Sequence, residues 1–198
     1  MVIIGLTGRT GGGASSAAKI LARRGARVID ADAIAHRVLL PDGGAYEDVV
    51  AAFGPRVLDK NKFIDRKKVA GIVFSDPASL AALTSATHAR ILAEIINQIE
   101  DAKHSGAALV CIDAPLLVES GLYESCDYVW AVFADDDIRL KRIIARDKIT
   151  EAEAVKRIGA QAPFAEIAKR ADAVIMNNGS VGGLTEEIIK KMDECLRD

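Results

Sequence analysis

Short apolar runs alternate with longer amphipathic stretches along this chain. The runs cover residues 2–6, 27–30, 108–113, 128–134 and 173–176. Each is apolar almost throughout, the pattern of strands buried on both faces. Residues 15–24 carry a helical pattern closed by Gly25, where a left-handed glycine ends a helix cheaply. A long, mostly helical insertion follows the second run. Within it Ile91, Leu92, Ile95, Ile96 and Ile99 recur at helical spacing, ending near Ser105-Gly106. Residues 136–146 and 150–161 read as helices, the latter entered through a capping box of Thr150 and Glu153. Residues 185–196 form a terminal helix. Strands alternating with helices predict an α/β fold: a three-layer parallel sheet with right-handed crossovers.

At 198 residues the chain suits one domain, 1–198, with excursions from the core at about 35–100 and 139–165. Half the residues are apolar and 5% are aromatic, which favours aliphatic helix-on-sheet packing over an aromatic binding surface. The net charge of −2 points to no nucleic-acid or membrane partner, so any phosphate chemistry must rest on local cations. Cys111, Cys126 and Cys195 are odd in number and lack C-x-x-C spacing, as in a set of reduced thiols. No apolar run approaches the length of a membrane span and no basic-flanked leader opens the chain; the expectation is a cytoplasmic protein.

The candidate chemistry begins after the first run, at "TGRTGGGASS". In a three-layer α/β fold, ligands sit at the carboxyl ends of strands, and a helix N-terminus there attracts phosphate. Gly8, Gly11, Gly12 and Gly13 would let the backbone curl around an anion, and Ala14, Ser15 and Ser16 open the helix. A plain connecting turn does not call for four glycines in six residues. Ser15 falls where a hydroxyl would hold Mg²⁺. The frame G-x-x-x-x-G-K-S/T, however, has Ala14 in place of its lysine. Losing one charge-assisted hydrogen bond costs roughly 1.5–3 kcal/mol. That would hurt transfer more than binding. Arg9, inside the loop, is the candidate substitute cation; Lys19 lies on another side of the helix. A dinucleotide-binding turn is the rival, with Asp30 as its ribose acid, but G-x-G-x-x-G fails from either Gly8 or Gly11.

Further strings follow in order: "VIDADAIAH" from Val28, "FIDRKKVAGIVFSDP" from Phe63, "TSATHARI" around His88, "CIDAPLLVESGL" from Cys111, "RLKRIIARDKIT" from Arg139, then Gln161 and "RADAVIMNNGS" from Arg170. Together they resemble the dephospho-CoA kinase family over about residues 2–190. The resemblance implies a P-loop nucleotide kinase fold, with a helical substrate-binding region over 35–100 and a helical lid over 139–165. It implies transfer of the ATP γ-phosphate to the ribose 3′-hydroxyl of dephospho-CoA, the last step of CoA biosynthesis, with ATP and Mg²⁺ as cofactors and a small-molecule partner. Asp32 would act as base or orienter for the attacking hydroxyl, and Asp113 on Mg²⁺ through water. Arg142 and Arg146, four apart and so on one helix face, would clamp phosphates. Asn177 and Gly179 would meet the nucleotide, and Arg66 and His88 the substrate. Each position also has a plainer use: Asp32 as a first-turn acid, Asp113 as a strand-end turn residue, the two arginines as a solvated face, 177–180 as an Asn-Gly turn, and His88 as a structural histidine.

The chain departs from the family pattern at Ala14, at Arg9–Thr10 (usually glycine then an apolar residue), at Ala89 (usually proline) and at Phe164 and Ile167 (often basic). An active, atypical kinase and a catalytically inactive nucleotide- or CoA-binding regulator are therefore both compatible with the sequence, as is a kinase for another nucleotide-like acceptor.

Overall fold

A computed structural model describes residues 1–161 and 163–197. Two units emerge, one formed by Met1–Asp30 with Ala102–Asp198 and the other by Ala31–Asp101.

The first unit holds a five-stranded sheet of β1 (Val2–Thr7), β2 (Arg27–Asp30), β3 (Leu109–Asp113), β4 (Tyr128–Phe133) and β5 (Ala173–Met176). The order is β2-β3-β1-β4-β5, and every pairing is parallel. β3 is buried along its whole length, and β1 and β4 nearly so. The edge strands differ from the uniformly apolar reading of the sequence. Arg27, Asp30, Val174 and Met176 are exposed, because an edge strand has a neighbour on one side only.

Helix α1 (Ala14–Arg23) buries Ala17, Ala18, Ile20 and Leu21, and α9 (Val181–Cys195) buries Leu184, Ile188, Met192 and Cys195. Both sets join Ile4, Leu6, Cys111, Trp130 and Val132 in one core. Each fully buried Leu or Ile contributes about 1.5–3 kcal/mol, so this layer dominates the unit's stability. Helix α9 starts four residues before the predicted position. The Ser180 hydroxyl accepts the Gly183 amide and so nucleates the helix through two glycines that propensity alone would leave outside it. Helix α6 (Asp136–Asp147), helix α7 (Glu151–Gly159) and the short α8 (Phe164–Ala168) complete the unit. The capping box of Thr150 and Glu153 forms in full at the start of α7. Phe164 stacks on Phe133 with ring centroids 4.3 Å apart.

The second unit is helical, with α2 (Ala31–Arg37), α3 (Tyr46–Phe53), α4 (Arg66–Val73) and all but the last turn of α5 (Pro77–His104). Its core is built on Tyr46, Val49, Phe53, Val57, Ile64, Val69 and Val73, with Leu83 and Ala86 packed against it. Asp65 caps α4 by accepting the Lys67 and Lys68 amides. Along α5, Ile95 and Ile99 are buried, whereas Ile96, one residue off that face, is half exposed.

Candidate active site

The glycine loop leaves the carboxyl end of β1, the sheet's central strand, and enters α1. Its four glycines are set by geometry. Gly13 has φ +110°, and a Cβ there would collide with the Asn177 side-chain amide. Gly11 has φ +79°, and a Cβ there would stand 3.0 Å from the Arg139 carbonyl oxygen. Gly8 and Gly12 lie against the Val132 carbonyl of β4. Gly13 caps α1 without a side chain, so the helix's amide end is lined by backbone, Ala14, Ser15 and Ser16. The Ser16 amide turns back to the Gly13 carbonyl at 2.9 Å. Ala14 packs on the core of the unit.

Arg9 reaches α7. Its Nη2 donates to the Ile158 carbonyl at 2.6 Å, while its Nε is buried and has no hydrogen-bond partner among the described residues. A cation suits the carbonyl end of α7, where the helix dipole is negative.

Helix α6 supplies three arginines to the loop. Arg142 donates through Nη1 to the Gly11 carbonyl at 3.3 Å and through Nη2 to the Asn177 carbonyl at 2.9 Å. Arg146 grips Asp147 with Nε at 2.7 Å and Nη2 at 3.0 Å, and reaches the Thr10 hydroxyl at 3.4 Å. The Arg146 hydrogen bond, with help from Arg157, holds the Asp147 carboxyl below its usual range. Arg139, which the motifs passed over, is fully buried and donates to the Thr10 carbonyl. Burial, together with the neighbouring charge of Arg9, pulls its guanidinium below the usual arginine range. Its spacing of three from Arg142 was the available signal, because i and i+3 share a helix face.

Asn177 follows β5 and is buried; its Nδ2 donates to the Gly12 carbonyl at 2.8 Å. The side chain therefore ties the end of β5 to the loop, and Gly179 beyond it is exposed. Asp113 ends β3, is largely buried, and pairs in register with Leu6 of β1 and Asp30 of β2. Two carboxylates thus sit at neighbouring strand ends beside the loop's own strand.

In the helical unit, Asp32 opens α2 and lines a pocket of about 300 Å³ together with His36 and Arg66. Leu39, Val49, Ile64 and Val69 form part of its apolar wall. Arg66 Nη1 lies 3.5 Å from His36 Nδ1. His36 escaped the sequence reading, although Asp32 and His36 are four apart and so face the same way on α2. His88 lines a separate, open depression with Leu80, Thr84 and Ser85 on α5, so it is not brought together with Arg66. Among the described residues, no cluster of three His, Cys, Asp or Glu side chains is arranged for a metal ion, and no helix is long and apolar enough to cross a membrane.

A family model described as dephospho-CoA kinase matches residues 2–182. The dephospho-CoA kinase of Geobacillus kaustophilus is 44% identical over 177 residues, spanning 89% of this chain and 88% of that protein. Among solved structures, a Thermus thermophilus protein designated TT1252 matches with a TM-score of 0.84 at 32% identity, covering 98% of this chain and 97% of that one. The dephospho-CoA kinase from Campylobacter jejuni matches with a TM-score of 0.73 at 31% identity and the same coverage. With its parallel sheet, glycine loop and arginine-bearing α6, the chain belongs to the dephospho-CoA kinase family.

Proposed function

We propose that this chain transfers the γ-phosphoryl group of ATP to the ribose 3′-hydroxyl of dephospho-CoA. The observation that carries the reading is the glycine loop at the end of the central strand, backed by three α6 arginines, in a chain of this family. The loop's curled backbone and the N-terminus of α1 suit the phosphates of ATP, which accept amide hydrogens at the positive end of the helix. Arg9 takes over the charge that Ala14 cannot supply. Its buried Nε lacks an acceptor, and a phosphate oxygen would provide one.

Asp32 accepts the proton of the 3′-hydroxyl as the hydroxyl oxygen forms its bond to the γ-phosphorus. The bond between that phosphorus and the β–γ bridging oxygen breaks, and ADP leaves. The pocket shared by Asp32, His36 and Arg66 suits an acceptor with anionic and apolar parts, within an acceptor-binding region over 35–100. Residues 139–165 act as a lid, in which Arg146 exchanges Asp147 for a phosphate oxygen. Gly179, exposed after β5, is left to meet the adenine, with Asn177 bracing the loop beneath it.

Mg²⁺ prefers oxygen donors, and the hydroxyl of Ser15 and the carboxylate of Asp113, acting through water, match that preference. The neighbouring carboxylates of Asp30 and Asp113 also favour a cation nearby. Bound there, the ion would neutralise charge on the transferring phosphates.

A coupled assay of ADP release that depends on added dephospho-CoA tests the reading, with 3′-phosphorylated product identified by mass spectrometry. No turnover, with ATP binding intact by calorimetry, would overturn it and leave a nucleotide-binding protein.

A further inference from the structure

Arg139 is fully buried, and a guanidinium removed from water must be matched by acceptors. Its three acceptors belong to three different parts of the chain. Nε donates to the Thr10 carbonyl at 2.9 Å, Nη1 to the Asp136 carboxylate at 2.5 Å, and Nη2 to Gln161 Oε1 at 3.2 Å. The same Gln161 oxygen accepts the Thr10 amide at 2.9 Å. Thr10 is therefore held by both of its backbone groups, and the two residues that hold it are bonded to each other. The following residue, Gly11, lies on the Arg139 backbone with φ +79°, where a side chain would be strained and its Cβ would stand 3.0 Å from the Arg139 carbonyl oxygen. Arg142 and Arg146 continue this face of α6 and reach the Gly11 carbonyl and the Thr10 hydroxyl.

We propose that Arg139 is a positioning residue: with Gln161 it forms a buried clamp on Thr10 that sets the path of the glycine loop, without touching nucleotide. Its consequence for catalysis rests on the reading that this loop takes the phosphates of ATP. The clamp needs arginine in particular. A planar fork can serve three acceptors in different directions at once, whereas lysine offers a single flexible point charge. The clamp also bears on Arg9. Two guanidiniums repel, and Arg9 takes its own acceptor at Ile158 of α7. The loop that lacks its lysine is thus itself held by partly buried hydrogen bonds.

The test uses the full chain carrying Arg139→Lys, Gln161→Leu, both together, and Gln161→Glu, which keeps an acceptor oxygen in place. In the ligand-free protein, amide hydrogen exchange over residues 7–16 is expected to quicken about tenfold or more in the first two variants, with β3 unchanged and Gln161→Glu close to wild type. The KM for ATP is expected to rise about tenfold while that for dephospho-CoA stays within about twofold, since one charged hydrogen bond corresponds to at least that factor. The double variant should be no worse than the poorer single one, because both break the same clamp. Wild-type exchange over 7–16 in Arg139→Lys would overturn the proposal. So would equal loss across the whole sheet with both KM values raised together, or additive effects of the two substitutions. If the wild-type chain transfers no phosphate, the exchange measurement still decides the clamp, so the two readings fail separately.

Discussion

Substituting Gly13 by alanine tests how the loop is held to the end of β5. Two costs are separable in the structure. The first is backbone strain: Gly13 has φ +110°, a conformation that costs an L-residue roughly 1–2 kcal/mol. The second is steric. The new methyl would occupy the space of the Asn177 amide and push it off the Gly12 carbonyl, which it meets at 2.8 Å in a buried setting. Leaving that carbonyl unsatisfied costs about 1–3 kcal/mol. The sum for Gly13→Ala is roughly 2–5 kcal/mol. Asn177→Ala alone costs about 1–3 kcal/mol through the same orphaned carbonyl. In that background Gly13→Ala has no amide left to displace, so it should cost only the strain, roughly 1–2 kcal/mol. The double-mutant cycle thus predicts a coupling of about 1–3 kcal/mol. Urea denaturation reports it through Trp130, the only tryptophan, which lies buried in β4. If Gly13→Ala costs as much without the Asn177 amide as with it, the steric reasoning is wrong.

Three further expectations bear on the chemistry. If Asp32 is the proton acceptor proposed above, Asp32→Asn should lower the transfer rate on the order of 10² to 10⁴ with ATP affinity unchanged; steady-state kinetics that show an unchanged kcat would exclude Asp32 as the base. Arg9→Ala should lower kcat by on the order of 10² to 10³, the value of one transition-state donor, and a rate equal to wild type would deny Arg9 the role of substitute cation. Because the Asp147 carboxyl is held below its usual range, chiefly by the Arg146 hydrogen bond, its pairing stabilises the fold at neutral pH. That contribution is lost only as pH falls through the lowered native value, below the ordinary carboxylate pKa of about 3.9. An NMR titration of the Asp147 carboxyl shows this directly, and a midpoint at the ordinary value would contradict it.

The strands and helices were legible in the chain because burial imposes a period on it. The five apolar runs became the five strands, with ends moved by a residue or so, and the capping box of Thr150 and Glu153 opened α7 where its spacing predicts. Gly8, Gly11, Gly12 and Gly13 announced a backbone free to curl, and the structure adds that side chains there would meet Val132, Arg139 and Asn177. Those features are local, or are set by one face of one element. The rest depends on which elements meet. Sequence alone could not distinguish an edge strand from a central one, since that depends on the order β2-β3-β1-β4-β5. Nor could it show that Asn177 would be consumed in bracing Gly12, 165 residues away, or that Arg66 shares its pocket with His36 and not with His88. Arg139 makes the point most clearly. As one more arginine on an amphipathic helix it reads as solvated, yet it is fully buried, clamping a residue 129 positions earlier in concert with Gln161. Periodicity records which face of a helix is covered; only tertiary packing decides which backbone lies there to accept a buried charge.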